Sequence, residues 1–459
     1  MRTSENQNPA LTGLLGRLKD VVWFLAIVNL LSVVTGSLVA LFLWSLDKIT
    51  RLHWANPWLL FALPIAGVLS SFVYHRISKE ADGGNGLIFD RIRNPSGLPK
   101  VPIALAPLVL AGTLLTHLCG GSAGREGTAV QMGGSIAGWL IRFIKNDDEW
   151  RRTIILCGIS AGFGAVFGTP IAGAVFAIEV LWLGRNSLFR IVPCMISSIV
   201  AHYVTLWWGI DHSTFLLPSL SESLADLSVV SERLVYPLVN VVSGAKVVIA
   251  AVAFGLISIL FAETTHSVNR LLKRLISRAW LRPLLGGCIF ILFTAFVGTR
   301  DYTGIGVDPN PNQIRTVSIV SSFETSGSDT LSWIWKLLAT SITVGSGFKG
   351  GEVTPLFFVG ATAGNTLGHW LSFPVDLMAA IGFVAVFAGA TKTPIACSLM
   401  AVELFEPSNS TFVGSGFIVY VVIGCVVARI VSGRSSIYRN SEAALKSGKD
   451  IDEQRSIDP

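Results

Sequence analysis

Charge is what this sequence has least of. Lysine, arginine, aspartate and glutamate make up 14% of its 459 residues, against about 25% in an ordinary soluble chain. That deficit excludes a disordered chain and argues against a water-soluble globule. Cysteine is scarce too: six residues (Cys119, Cys157, Cys194, Cys288, Cys397, Cys425) stand singly in apolar stretches. Without a CxxC spacing or a Cys/His cluster, neither a disulfide framework nor a zinc site is indicated. None of the seven histidines falls in an HExxH pattern, which disfavours a membrane zinc protease. The first twenty or so residues are polar and show no secretory cleavage pattern. No cofactor or metal is expected.

What is present is apolar. Hydrophobic residues reach 51% and mean hydropathy is +0.61. The net charge of +6 sits in short connectors such as Arg91–Lys100, Arg151–Arg152 and Arg270–Arg278, the ordinary pattern beside lipid. It therefore indicates no nucleic-acid partner, and because basic residues flank several segments on both sides it leaves orientation open. A bilayer core needs about 20 apolar residues in a helix. Residues 21–46, 57–75, 101–119 and 245–264 qualify. Residues 126–144, 153–168, 170–183, 353–373, 376–390 and 394–405 are shorter and interrupted by some of the 45 glycines and 19 prolines. Short, broken apolar segments are the expected sign of helices that stop partway across and line a binding site. The fold class expected is an all-α polytopic membrane protein.

Four carboxylates lie in or beside these stretches: Glu126, Glu179, Glu352 and Glu403. Intramembrane carboxylates cost several kcal/mol and usually mark function, although a carboxylate that caps a helix end is the bland alternative. Their spacing shows a repeat. Thr169-Pro170-Ile171-Ala172 recurs as Thr393-Pro394-Ile395-Ala396, and the match runs on to Glu179 and Glu403 at an offset of 224, with six identities in eleven positions. Glu126 aligns with Glu352 at an offset of 226, placing Gly134 and Gly138 on Gly360 and Gly364. Gly84-Asn85-Gly86 aligns with Gly304-Ile305-Gly306 at an offset of 220. The chain reads as two homologous halves, residues 21–225 and 226–440, between a polar segment (1–20) and a short polar tail (441–459). An odd number of segments per half would insert the second half upside down, putting a site at the interface of the halves near midplane.

The chemistry is in the glycine-rich helix starts. In Ser122-Ala123-Gly124-Arg125-Glu126-Gly127-Thr128 the glycines leave amide N–H groups uncovered, and the helix dipole adds partial positive charge. Gly350-Gly351-Glu352-Val353-Thr354-Pro355 repeats the device, and Asn85 adds an amide donor. Three such starts would surround a small anion with dipoles while still allowing its release. Ionised, Glu126 would compete for that place; protonated, it would not. One residue could thus exchange a proton for an anion.

Gly124–Thr128, Gly351–Pro355, the Gly162–Glu179 stretch with Pro170, and Tyr438 in Ser435-Ser436-Ile437-Tyr438 resemble the CLC family of anion channels and anion/proton antiporters. The resemblance is ordered from about residue 20 to 440. It implies two inverted-topology repeats with broken and re-entrant helices. It also implies that Glu126 is the gating glutamate, that Tyr438 faces the anion, and that the amides of Glu352 and Val353 form the second anion cradle, with Gly86 and Thr354 alongside. Asn85 stands where chloride-selective members carry serine, Glu352 and Val353 replace a small apolar residue and a phenylalanine, and Val180 stands where an internal proton-relay glutamate is frequent. This combination is similar to the fluoride branch, the fluoride/proton antiporters. Fluoride is strongly hydrated, so a donor at Asn85 suits it, and Glu352 becomes a second candidate proton-coupling group.

The expected function is therefore fluoride export against protons by a homodimer in the inner (plasma) membrane, with protons and fluoride as partners. The alternative is a chloride channel or chloride/proton antiporter of the same fold. Lys349 reads as an ordinary solvent-facing lysine and His117 as structural. Gly158-Ile159-Ser160-Ala161-Gly162 matches the GxSxG elbow of hydrolases, but it lies inside an apolar segment rather than between a strand and a helix, so an enzyme is not expected.

Overall fold

The structure, a computed structural model, describes residues 9–93, 100–144, 147–181, 185–212, 215–217, 241–311, 316–406 and 417–438. The tail at 441–459 and the junction at 225/226 between the expected halves lie outside these residues. Fifteen α-helices are described. The first eight are α1 (Pro9–Ala55), α2 (Leu63–Ile77), α3 (Gly84–Arg93), α4 (Leu105–Leu118), α5 (Glu126–Leu140), α6 (Asp148–Phe167), α7 (Pro170–Glu179) and α8 (Ile191–Trp207). The other seven are α9 (Val241–Leu275), α10 (Arg282–Val297), α11 (Ser332–Gly345), α12 (Val353–Leu371), α13 (Val375–Thr391), α14 (Pro394–Leu404) and α15 (Phe417–Val431). One parallel pair of two-residue strands, β1 (Phe215–Leu216) and β2 (Phe405–Glu406), accompanies them.

Five described stretches are long and apolar enough to cross a membrane: Leu18–Ala55, Pro57–Ile77, Leu188–Trp207, Val241–Leu275 and Ala279–Val297. The apolar run 101–119, expected to span on its own, forms only the 14-residue α4. Gly120 and Gly121 follow its end, and Gly120 adopts φ +73, so the chain turns away there. Helix α1 runs unbroken from Pro9 past residue 20.

The long helices expose apolar side chains such as Trp44, Ile65, Leu256 and Leu292, whereas α13 is buried along nearly its whole length. A helix buried all round must be apolar all round, which is why residues 375–391 look like a span in sequence. Glycines let its neighbour approach. A Cβ on Gly360 would come 2.1 Å from the Gly382 carbonyl oxygen, and one on Gly382 would come 2.2 Å from that of Gly360. The first half repeats this contact between α5 and α6: a Cβ on Gly133 would lie 2.0 Å from the Gly158 carbonyl oxygen and the reciprocal distance is 2.4 Å. The packing therefore equates Gly133, not Gly134, with Gly360, one residue away from the sequence alignment. Gly134 instead faces Ile88.

Two reciprocal contacts fix the relation of the halves. The Glu403 carboxylate at the end of α14 accepts hydrogen bonds from the Ile171 and Ala172 amides at the start of α7, at 2.9 and 2.8 Å. The Glu179 carboxylate at the end of α7 accepts from Ile395 and Ala396 at the start of α14, at 3.0 and 2.8 Å. Each helix ends where the other begins, so equivalent helices run antiparallel. Glu179 and Glu403 thus take the bland alternative as helix caps. Within the first half the Phe163 and Phe176 rings stack at 4.4 Å, and within the second the Phe357 and Phe383 rings stack at 4.0 Å. Phe167 and Phe357 join the two sets at 5.4 Å.

Candidate functional site

The second reciprocal contact is at the glycine-rich helix starts. Gly124 N–H donates to the Gly351 carbonyl at 2.6 Å, and Gly351 N–H donates to the Gly124 carbonyl at 2.7 Å. This two-residue antiparallel bridge sets the first turns of α5 and α12 side by side. Only glycine fits. A Cβ on Gly351 would come 2.8 Å from the Gly127 nitrogen, and one on Gly124 would come 2.9 Å from Pro355 Cδ.

Glu126 opens α5 and is 1% exposed. Its carboxylate crosses to the start of α12, where it accepts from the Thr354 amide at 3.0 Å and from the Thr354 hydroxyl at 2.5 to 2.6 Å. The Arg125 amide donates to it at 3.1 Å, and Arg125 Nε lies 3.5 Å away. An anionic group is therefore seated on a helix N-terminus and held by charge-assisted hydrogen bonds, the arrangement that suits any small anion there.

Asn85 opens α3 after Gly84, whose φ of +52 turns the chain into the helix. Its Nδ2 comes 3.6 Å from where a Cβ on Gly127 would stand, so the amide abuts the first turn of α5. Its Oδ1 is buried without a hydrogen-bond partner. One turn further along α3, Phe89 meets the Tyr438 ring edge-on at 5.0 Å. The Tyr438 segment is anchored by Ile437 N–H to the Ala390 carbonyl and by His266 to the Ser436 carbonyl. Val353 and Thr354 are buried in the first turn of α12, while Glu352 and Gly86 are partly exposed. The structure thus brings Glu126 to Thr354 and Asn85 to the first turn of α5, with Val353 buried beside Thr354 in sequence and Tyr438 packed on Phe89. Glu352 stands aside, on the wall of a cavity.

That cavity, about 330 Å³, is lined by Glu352, Lys349, Gly350, Asp82, Gly84, Gln131 and His266 among others. A separate one of about 320 Å³ is lined by His117, His53, Arg300, Asp301, Gly304 and Gly306 among others. Val109 lines the first and His117 the second. They lie about 12 Å apart along α4 at 1.5 Å per residue, so the cavities reach into the bundle at different depths. Around the second, the Asp301 and Asp308 carboxyls are pushed above their ordinary range by burial.

Two features were not read from sequence. Lys336 is fully buried in α11 and donates to the Gly304 and Tyr302 carbonyls at 2.9 and 3.3 Å. The signal for it was one lysine inside the apolar run 331–345. Lys349 is not solvent-facing: its side chain is 15% exposed and paired with Asp82. The GxSxG pentad is buried within α6, where Ser160 Oγ donates to the Cys194 carbonyl at 2.8 Å. A serine locked in a helix presents no nucleophile elbow.

The comparisons with known proteins agree with this geometry. Residues 66–433 match the model of the voltage gated chloride channel family. The chain belongs to the CLC family. Among relatives of this CLC chain, a "Chloride/fluoride channel protein" of Pseudomonas syringae pv. tomato is 41% identical over 415 residues, covering 90% of this chain and 85% of the relative. A "Voltage-gated ClC-type chloride channel ClcB" of Escherichia coli O81 is 29% identical, with 72% and 74% covered. A crystal structure of a CLC-type fluoride/proton antiporter matches with a TM-score of 0.79 at 29% identity, covering 91% of this chain and 97% of the other. A slow cyanobacterial Cl⁻/H⁺ antiporter shares the fold at a TM-score of 0.72 and 20% identity. This CLC chain is a multi-pass membrane ion transporter, not an enzyme.

Proposed function

We propose that the chain exports fluoride in exchange for protons, with Glu126 as the shared gate. The observation that carries this reading is the Glu126 carboxylate on the first turn of α12, bonded to the Thr354 amide and hydroxyl. A carboxylate in that seat excludes an anion of similar size and charge, and protonation weakens its hold. Anion and proton thus occupy one place in turn. The seat offers mostly backbone and hydroxyl donors, with the Arg125 guanidinium 3.5 Å away at its edge, and binding through dipoles of this kind permits release.

The relatives support the choice of ion. The relative that is 41% identical is a chloride/fluoride channel protein by name, and the structure that matches at 29% identity is of a fluoride/proton antiporter. Asn85 adds a short amide donor beside Gly127, which suits an ion that surrenders a strong hydration shell. In this reading Asn85, Gly86, Val353, Thr354, the Glu352 amide and Tyr438 form the anion pathway, and Glu352 is a second proton-coupling group facing its cavity. The halves divide at 21–225 and 226–440, the assembly is a homodimer, and the location is the inner (plasma) membrane.

Reconstitution tests this. Liposomes loaded with fluoride should release it while taking up protons, and Glu126→Gln should release fluoride without proton uptake. Chloride moved in preference to fluoride would select the chloride reading instead. Proton coupling that persists in Glu126→Gln would remove Glu126 from the exchange.

A further inference from the structure

Lys349 joins two parts of the site that the sequence keeps 267 residues apart. Its stem is pressed against α4, where a Cβ on Gly112 would come 2.9 Å from Lys349 Cβ and Cγ. Its ammonium lies 4.2 Å from the Tyr74 ring centroid and pairs with the Asp82 carboxylate. Asp82 stands two residues before Gly84, the φ +52 turn that opens α3 and presents Asn85. Lys349 immediately precedes Gly350, at φ +146, and Glu352 follows two residues later. Both turns are built on glycine and are soft by themselves. Both line the cavity that holds Glu352.

An exposed ion pair contributes little, in part because ordering two long side chains costs entropy. Here Gly112 and Tyr74 already confine the lysine, which lowers that cost, although the acid remains 57% exposed. We propose that the Asp82–Lys349 pair is a positioning staple that holds the Asn85 turn of the first half in register with the Glu352 turn of the second. This inference rests on the fluoride/proton reading. The Lys349 ammonium keeps the Asp82 carboxyl below its ordinary range. The linkage sign follows: a depressed carboxyl contributes above its unfolded pKa and is lost only as pH falls through the folded one. The staple is therefore fully formed at neutral pH.

A purely local field makes a different prediction. Removing the acid would then improve anion capture and removing the lysine would weaken it. A staple predicts the same sign for both. The test reconstitutes Asp82→Asn, Lys349→Met and the double swap Asp82→Lys/Lys349→Asp, and measures fluoride KM and the proton-to-fluoride ratio. Expected results are a KM raised severalfold and a lowered ratio in both single variants, with the swap recovering at least half of each loss. Opposite signs, unchanged single variants, or a swap no better than either single variant would overturn the staple. A cycle of melting temperatures over Asp82→Asn, Lys349→Met and their combination reads the contact without any transport. The combination should melt no lower than the worse single variant, and additive losses would count against the pair. Wild-type protein that moves no fluoride but shows non-additive melting would reject the transport reading and keep the contact.

Discussion

If Glu126 is the shared gate, Glu126→Gln should bind fluoride more tightly than the wild type at equilibrium while losing proton coupling. The carboxylate holds its seat through three donors, the amides of Arg125 and Thr354 and the Thr354 hydroxyl. Hydrogen bonds to a charged group contribute about 1.5–3 kcal/mol each, and taking the carboxylate out of water costs several kcal/mol. Three such bonds give roughly 4.5–9 kcal/mol, and setting several kcal/mol of desolvation against them leaves a preference on the order of one bond, about 1.5–3 kcal/mol, for the seated state. In the proposed exchange fluoride has to displace the carboxylate, which would weaken its apparent affinity about 10- to 150-fold, at 1.4 kcal/mol per tenfold. A neutral glutamine competes far less. Titration calorimetry of detergent-solubilised protein at neutral pH should show most of that factor returned in Glu126→Gln. Acidification should tighten fluoride binding in the wild type and leave the variant flat. Equal affinities, or an acid dependence that survives the substitution, would refute competition for a single seat.

Three further outcomes follow from the geometry. Glu179→Ala and Glu403→Ala each leave two helix-start amides without acceptors, so each should destabilise by about 2–6 kcal/mol. Their melting temperatures in detergent should fall alike, and a large difference between them would break the two-fold relation. Gly133→Ala and Gly360→Ala force a Cβ onto a backbone oxygen at 2.0 and 2.1 Å, so both should lower expression and melting temperature, by about 1–3 kcal/mol or more, whereas Gly244→Ala, with nothing within 4 Å, should not. Asn85→Ser shortens the donor beside Gly127 and should shift the fluoride-to-chloride flux ratio toward chloride about tenfold, for about 1.4 kcal/mol of lost hydrogen bonding; an unchanged ratio would place selectivity elsewhere.

The four carboxylates show how far sequence reasoning reaches. All four were visible as charges in apolar surroundings, and the offset of 224 paired Glu179 with Glu403 correctly, whereas the Gly124–Gly351 bridge equates Glu126 with Val353 rather than Glu352. Their roles were not visible. Glu179 and Glu403 became caps because antiparallel α7 and α14 bring each carboxylate to the other's uncapped amides, a relation between halves that no local pattern expresses. Glu126 stayed at the centre because its own helix start is glycine-rich and faces that of α12. The parity of apolar segments was a weak guide, since α4 stops short of a span and the described helices number eight and seven in the two halves; reciprocal capping carries the inversion instead.

Composition and the broken apolar segments determined by themselves a helical membrane bundle, and the repeated glycine-rich helix starts pointed to two related halves, because each reflects a local cost of burying charge or backbone in lipid. Which residues meet was decided only in three dimensions. The Gly124–Gly351 bridge, the seat of Glu126 on Thr354, the pairing of Lys349 with Asp82 and the burial of Lys336 all join positions distant in sequence. Such contacts depend on how helices pack, and packing is a property of surfaces brought together rather than of any segment alone.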